Sequence, residues 1–274
     1  MVNLKRPAAA ALVLILCLAW LAGATPQAES KDPAGEILEE LHYRVDVWIL
    51  KDSIPAKVTF KRLASGRYRA EITGEAKGLL GLISGHWRGS YSTEMAFRDG
   101  KLAPLVYREE SWSGKKHHLM EYRFDYEHNR VELYKPDKKK GLVKKWETPM
   151  KGAMHDGISF YYNQRLGLMG MGSEGEVFNF PSIPYPKPEE ITLRMGPVTP
   201  EGRRVMVSLK NPALEKERSE VYAILDGDGV PTQVWTWVLR FGKISGTLLS
   251  GGKRLDKELL AARTAPGALA DKGP

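Results

Sequence analysis

His155, Asp156 and Ser159 lie within one five-residue segment and are the residue types of a nucleophilic hydrolase site. In such a site the serine attacks, the histidine takes its proton and the aspartate orients the histidine. The three side chains must meet in space, with donors aimed at the developing oxyanion. No G-x-S-x-G nucleophile elbow surrounds Ser159. A hydrolase using Ser159, His155 and Asp156 is therefore one hypothesis.

The same segment also has a structural interpretation, as an isolated helix in a chain of strands. Asp156 is a favourable N-cap, Ser159 falls at the third helical position, and Gly167 suits a left-handed residue after the helix. The helix interpretation explains the positions of more residues in this segment than the catalytic interpretation does. We therefore predict no catalytic residue and retain the hydrolase as the alternative.

Asp156, Ser159, Tyr162 and Arg165 follow one another at intervals of three residues. Steps of three drift around a helix, so the four side chains cannot share one narrow stripe. We predict a structural network in which Asp156 caps the helix, the Tyr162 hydroxyl is bonded within the sheet and Arg165 pairs with a strand carboxylate. The functional alternative is that Tyr162 and Arg165 line a pocket and bind an anionic ligand.

Hydrophobic alternation predicts the elements that must hold this helix. Alternate residues from Leu41 to Ile49 are apolar and share one predicted face, and similar short segments recur as far as Ser250. Turn sequences of about two to five residues separate them, which favours antiparallel neighbours. The predicted fold class is all-β: a large curved antiparallel sheet or open barrel of about a dozen strands with one short helix packed on it. The proline-rich Pro181–Glu190 predicts an extended linker.

The N-terminus has the pattern of an export signal. Two basic residues precede fifteen consecutive apolar residues, and a small-residue cleavage pattern ends at Ala24. A retained anchor is the alternative, although spanning a bilayer takes about 20 apolar residues. We predict a periplasmic location. The predicted divisions are a cleavable signal peptide over 1–24, a flexible segment over 25–35, a single domain over 36–250 and a disordered or weakly helical tail over 251–274.

Charge and cysteine content restrict the chemistry and the partners. The only cysteine, Cys17, lies within the predicted signal peptide. The mature chain then has no thiol, which excludes disulfides, cysteine-ligated metals and a cysteine nucleophile. The formal net charge of +8 favours anionic surfaces. Because export separates the chain from cytosolic nucleic acid, we predict no nucleic-acid partner.

Three further segments could contact a ligand. Lys77–Trp87 interleaves aliphatic residues with glycines, which predicts an irregular turn or, alternatively, an apolar surface for an acyl chain. Lys135–Lys145 contains six lysines. Such lysines either keep a strand edge soluble or, alternatively, contact lipid phosphates or anionic polysaccharide. Trp235 and Trp237 share one predicted strand face, where they form either a wall of the core or a platform on which a sugar could stack.

Metal and cofactor sites are not predicted. The DGDG sequence of Asp226–Gly229 lacks the further carboxylates of a calcium loop and favours a tight turn. His117 and His118 are adjacent on a predicted strand and therefore point to opposite faces. We predict no metal and no cofactor.

The series from Asp156 to Arg165 resembles the D-x-x-S-x-x-Y-x-x-R signature of the DUF3108 family of exported bacterial proteins. Two other segments are similar to that family: the first strand pair, Tyr43–Phe60, and a late strand, turn and strand over Val221–Val238. The resemblance implies a periplasmic, β-rich protein of unassigned activity, and it supplies no catalytic residues.

This resemblance extends over about residues 36–250, nearly the whole predicted mature chain. It departs from the family in the late strand, where Tyr222 and Ile224 stand in place of a tryptophan and a serine. Members of the family usually have a basic residue before the proline of this segment, and none stands near Gly229 here. These departures count against a site in that strand.

We predict that the protein is a non-enzymatic module that binds a lipid or a glycan, or that maintains the cell envelope. A closed-in sheet with an apolar surface at Lys77–Trp87 suits such a ligand. The candidate ligand-binding residues are Tyr162, Arg165, Trp235 and Trp237. The alternatives are the hydrolase and a purely structural protein-interaction module. The predicted partner is a lipid or an anionic envelope glycan, with no permanent membrane span after signal cleavage.

Overall fold

The computed structural model describes residues 35–170, 172–183, 188–209, 214, 219–239 and 242–255. The predicted signal peptide lies outside these residues, as do most of the predicted flexible segment and tail. Those assignments, and the division into domains, stay predictions.

The described residues form fourteen strands and two helices. In chain order they are β1 (Gly35–Val47), β2 (Leu50–Leu63), β3 (Tyr68–Glu75), α1 (Gly78–Ile83), β4 (Arg88–Arg98), β5 (Lys101–Ser113), β6 (Lys116–Asp125), β7 (Arg130–Asp137), β8 (Gly141–Pro149), α2 (Gly157–Arg165), β9 (Val177–Ser182), β10 (Glu189–Thr199), β11 (Gly202–Ser208), β12 (Glu220–Leu225), β13 (Pro231–Val238) and β14 (Gly242–Leu248).

All fourteen strands belong to one antiparallel sheet. Its order is β8-β7-β6-β5-β4-β3-β2-β1-β14-β13-β12-β11-β10-β9. The first and last strands are therefore neighbours, with Val45 opposite Gly246. β8 and β9 are the two edges, and the sheet does not close between them. The predicted curved antiparallel sheet is confirmed, with two strands and one helix more than expected.

Apolar alternation builds the strands, and a turn ends the first of them. In β1, Leu41 and Val45 are buried while Arg44 is exposed. The chain then turns at Trp48 and Ile49 instead of continuing as one strand. Trp48 has a φ of 54°, in the left-handed region that bulky residues rarely adopt. Ile49 is 66% exposed, so the prediction that it shares the buried face is wrong.

A short helix, α1, lies within Lys77–Trp87, where the sequence predicts an irregular turn. Leu80 is buried and packs in an apolar cluster with Trp87. The other aliphatic side chains of α1, those of Leu79, Leu82 and Ile83, are exposed. The helix therefore covers the core with one residue and presents three to solvent.

The two described ends of the proline-rich segment belong to β9 and β10. Pro181 pairs with Glu190, and Ser182 with Glu189, in the ladder between β9 and β10. The predicted extended linker is therefore wrong for the described ends of this segment. β9 is an edge strand, where a missing N–H is tolerated, so Pro181 is compatible with the ladder.

Two clusters of buried apolar side chains fill the concave side of the sheet, and α2 lies between them. The first cluster joins Ile158 and Tyr162 of α2 to β1–β7. The second cluster lies under β9–β14 and extends to β1, β2 and α1, with Phe160 of α2 packed against it. Because α2 contacts both clusters, its orientation determines which of its side chains faces which half of the sheet.

Candidate functional site

The first turn of α2 is fixed by Asp156. Its Oδ1 accepts hydrogen bonds from the backbone N–H groups of Ile158 and Ser159, at 2.8 and 3.1 Å, and from Thr93 Oγ1 on β4, at 2.7 Å. These bonds satisfy helix N–H groups that would otherwise lack partners. Asp156 is fully buried, and this burial raises the pKa of its carboxyl group although the hydrogen bonds lower it.

His155 and Ser159 approach each other, with 3.4 Å between Nδ1 and Oγ. The Ser159 hydroxyl lies 3.1 Å from the backbone oxygen of Asp156, to which it donates. The Asp156 carboxylate is turned toward the helix backbone and Thr93 rather than toward His155. Ser159 and Asp156 are 0% exposed and His155 is 2% exposed. A substrate carbonyl therefore has no access to Ser159, and this geometry does not support the hydrolase.

Tyr162 and Arg165 both bind Glu39 of β1. The Tyr162 hydroxyl donates to Glu39 Oε2 at 3.1 Å, and Arg165 Nη1 donates to the same oxygen. The Tyr162 ring also stacks on Phe60 of β2, with 4.2 Å between ring centroids. Arg165 Nε lies 3.4 Å from the backbone oxygen of Asp228, in the β12–β13 turn. These contacts tie α2 to both halves of the sheet.

Asn163 is a further anchor that the sequence analysis missed. Its side chain donates to the backbone oxygen of Leu102 and accepts from the N–H of Leu102, both at 2.8 Å. The amide also donates to the backbone oxygen of Ser159. Asn163 lies four residues after Ser159, so its place on the same side of α2 could have been inferred from that spacing.

The remaining side of α2 faces β9–β13 across an apolar cleft. The cleft has a volume of about 100 Å³. Its α2 wall consists of Gly157, Phe160, Tyr161 and Gln164. The other lining residues are Phe180, Ile183, Ile191, Leu193, Met195, Val205, Val207, Leu209, Ala223, Leu225, Pro231 and Val234. The residues of α2 that do not anchor the helix to the sheet therefore form one wall of the cleft.

Tyr161 and Gln164 are the only side chains with polar ends among the residues that line the cleft. Gln164 Nε2 donates to the backbone oxygen of Gly170 at 3.0 Å. The Tyr161 hydroxyl is buried and lacks a hydrogen-bond partner of normal geometry, and burial raises its pKa above the ordinary value. Phe160, on the same α2 wall, stacks on Phe180 of β9. Such a lining suits hydrocarbon and offers few partners to hydroxyl groups.

The predicted ligand-binding residues lie elsewhere. Tyr162 and Arg165 are not among the residues that line the cleft, because both are directed to Glu39. Trp235 and Trp237 are half-buried, while their neighbours Val234, Thr236 and Val238 are buried. The two tryptophans therefore lie on the convex face of the sheet, outside the core.

The surroundings of Trp235 bear on the sugar-stacking hypothesis. Tyr222 of β12 stacks on the ring at 5.6 Å, and Lys243 Nζ of β14 lies 5.9 Å from the ring centroid. These neighbours come from the strands on either side of β13. The Trp235 ring therefore has protein neighbours from both adjacent strands, which compete with a sugar for contact with the ring.

Residues 40–196 match the family described as "Protein of unknown function (DUF3108)". The chain belongs to the DUF3108 family. The match runs from Glu40, within β1, to Gly196, within β10, and includes α2 and its signature, whereas Glu39 and β11–β14 lie outside it. The sequence resemblance at Val221–Val238 thus falls outside the matched residues of this DUF3108 chain.

A similar solved structure is a β-barrel-like protein of the DUF1849 domain of unknown function from Brucella abortus. It has 10% sequence identity and a TM-score of 0.46, and the similarity covers 79% of this chain and 98% of the other. No curated protein matches the chain.

The described residues contain no group of three or more His, Cys, Asp or Glu side chains arranged to hold a metal ion. In the same part of the chain, neither helix has the length and hydrophobicity needed to cross a bilayer.

Proposed function

We propose that the protein is an exported, periplasmic and non-enzymatic carrier that binds an acyl chain of a lipid in the cleft between α2 and β9–β13. The observation that supports this proposal is the almost wholly apolar lining of the cleft. Apolar cavities of this size range bind small hydrocarbons and stay dry when empty. The cleft therefore offers a site for a segment of an alkyl chain.

The direction of the cleft favours a chain over a compact ring. Leu209 directly follows β11, at one end of the sheet, while Leu225 and Pro231 flank the β12–β13 turn at the opposite end. A strand rises about 3.3 Å per residue, so these walls form an elongated site parallel to the strands. An extended alkyl chain follows such a path with little strain.

A lipid fits this cleft better than a glycan does. A sugar exposes hydroxyl groups that must keep hydrogen bonds when water is removed. Only Tyr161 and Gln164 offer polar side-chain atoms along the cleft. Trp235, the other candidate for a sugar, already contacts Tyr222 and Lys243 from the strands on either side of it. The glycan part of the original hypothesis therefore has the weaker support.

Native mass spectrometry of the gently purified mature protein tests this proposal directly. We expect bound species with the masses of fatty acids or lipids, and displacement of a fluorescent fatty acid by unlabelled fatty acid. Ala223→Phe places a ring in the cleft and should weaken fatty-acid binding at least about tenfold. Its control is Ala96→Phe, at a half-buried position of β4 away from the cleft.

A second substitution keeps the test informative if Ala223→Phe does not fold. Phe160→Ala removes the ring that stacks on Phe180 and enlarges the cleft, so the preferred acyl chain should become longer or bulkier. Protein that carries no lipid, binds no fatty acid and is unaffected by both substitutions would overturn the proposal.

A further inference from the structure

One end of the sheet brings together two features that the proposed carrier function does not use. In an antiparallel meander, alternate turns lie at the same end. The β1–β2, β5–β6 and β7–β8 turns therefore lie at one end, with α1 between β3 and β4. We call this end the α1 end. The Leu209 end of the cleft lies there too. Val47, at the end of β1, pairs with Ile244 near the start of β14. The strands from β14 back to β11 alternate in direction, so β11 ends, just before Leu209, at the α1 end.

Large apolar side chains are exposed at the α1 end. Leu79, Leu82 and Ile83 of α1 are 60%, 68% and 63% exposed. Trp48 and Ile49, in the β1–β2 turn, are 65% and 66% exposed. Single exposed apolar residues are ordinary, whereas a group of them on adjacent projections marks an interaction surface.

The structure holds α1 in place, so its apolar residues form a fixed projection. The N–H of Lys77 donates to the backbone oxygen of Ser53 on β2 at 2.8 Å. At the other end of α1, Gly114 of the β5–β6 turn donates to the backbone oxygen of Gly85 at 2.6 Å. Leu80 and Trp87 pack together in the core beneath it.

Positive charge predominates among the described residues around α1 and the β1–β2, β5–β6 and β7–β8 turns. The exposed lysines there are Lys77, Lys115, Lys138, Lys139 and Lys140, against the exposed carboxylates of Asp52, Glu75 and Asp137. The Asp137 carboxylate is also engaged by the N–H groups of Lys139 and Lys140. An apolar projection with lysines around it matches an anionic bilayer, whose phosphates lie above a hydrocarbon layer.

We propose that the α1 end docks on an anionic lipid surface, with Leu79, Leu82, Ile83, Trp48 and Ile49 entering the interfacial layer and the neighbouring lysines contacting lipid phosphates. Tryptophan favours this layer because it has both an apolar ring and a polar N–H. This surface shares no residue with the lining of the cleft, so docking and acyl-chain binding can fail independently.

Co-sedimentation of the mature protein with vesicles tests the docking. We expect binding to phosphatidylcholine vesicles that contain phosphatidylglycerol, and much weaker binding to phosphatidylcholine alone. The double variant Leu79→Gln/Leu82→Gln should weaken binding at least about tenfold, because it removes two inserted apolar side chains. Its control is Val198→Gln, since Val198 is 63% exposed beside the β10–β11 turn, at the opposite end of the sheet.

A pair of charge reversals tests the lysines. Lys139→Glu should weaken binding to anionic vesicles roughly five- to tenfold, whereas Lys151→Glu, an exposed position after β8 at the opposite end, should leave it unchanged. Ala223→Phe should retain vesicle binding even if it loses fatty acid.

Three results would overturn the docking proposal. The first is a lack of binding to anionic vesicles at low salt. The second is equal weakening by the Val198 and Lys151 controls. The third is a concentration-dependent dimer that Leu79→Gln/Leu82→Gln abolishes in the absence of vesicle binding, which would assign the surface to a second copy of the chain.

Discussion

Arg165 of α2 and Glu39 of β1 form an ion pair across 126 positions of the chain, with side chains only 1% and 0% exposed. Tyr162 donates to the same Glu39 oxygen, and the backbone N–H of Leu255 lies 3.3 Å from the other oxygen. A buried carboxylate with these donors holds the helix, the first strand and the residues after the last strand in one arrangement.

Removal of one member of this pair should destabilise the fold strongly. Arg165→Met leaves the Glu39 carboxylate buried without its cation, so the free energy of unfolding should fall by about 3–5 kcal/mol. Urea denaturation measures this change. The control Arg67→Met breaks a 2.8 Å pair with Glu94 in which Arg67 is 54% exposed, and it should change the free energy by less than about 1 kcal/mol. Equal losses in the two variants would contradict the importance of burial.

Asn163 should contribute through the backbone of Leu102. Asn163→Leu removes both 2.8 Å hydrogen bonds and leaves a buried N–H and C=O without these partners. The free energy of unfolding should fall by about 2–4 kcal/mol. Asn179→Leu removes an exposed hydrogen bond to Thr192 and serves as the control, with an expected change below about 1 kcal/mol. A small effect of Asn163→Leu would show that water replaces the lost partners.

Glu109 should make the fold less stable in alkaline solution. Burial raises the pKa of its carboxyl group to about 8, from an ordinary value of 4.5. The folded protein therefore binds more protons than the unfolded chain between these values, and stability falls as the pH rises through this range. Glu109→Gln should be more stable than the wild type by a few kcal/mol near about pH 9, and similar to it near about pH 5.

Chemical denaturation at both pH values measures the effect of Glu109→Gln. The control is Glu110→Gln on the other face of β5, which removes contacts to Arg108 and His117 at 2.9 and 2.8 Å. We expect no gain for this control in alkaline solution. A Glu109→Gln variant without a pH-dependent gain would mean that the carboxylate is stabilised when charged.

His155 should make the fold less stable in acid. Burial, together with the charge of Lys101, lowers the pKa of its imidazole from 6.5 to about 4. The unfolded chain binds the proton first, so stability is lost as the pH falls from about 6.5 to about 4. Denaturation curves should show that His155→Gln removes up to about 3 kcal/mol of this loss. Ser159→Ala should retain the pH dependence while losing about 1 kcal/mol throughout.

The sheet could be predicted because alternation is a local property of the chain. Strand residues such as Leu41 and Arg44 differ in polarity in the order that a half-buried strand requires. The ends of strands were harder to predict, because Trp48 and Ile49 continue the apolar pattern while the backbone turns. The helix α1 was missed for a similar reason, since its short leucine and glycine sequence has no capping residue.

The cleft could not be predicted, because its wall depends on contacts between distant segments. The residue types of Phe160 and Tyr161 do not tell which half of the sheet they face. That choice is made by Arg165 and Glu39, which are far apart in sequence. The Asp156 cap, in contrast, involves neighbouring residues and could be read from their types and spacing.

The unpaired edge strand β9 forms one border of the cleft. β9 is held near α2 by a short bridge, in which the backbone oxygen of His155 accepts hydrogen bonds from the N–H of Ile183 and from the Ser182 hydroxyl. This bridge and the stacked rings of Phe160 and Phe180 are the contacts that join β9 to the helix side of the cleft. In the proposed carrier, the length of the bound acyl chain would therefore depend on how firmly this bridge and the Phe160–Phe180 stack hold β9 against α2.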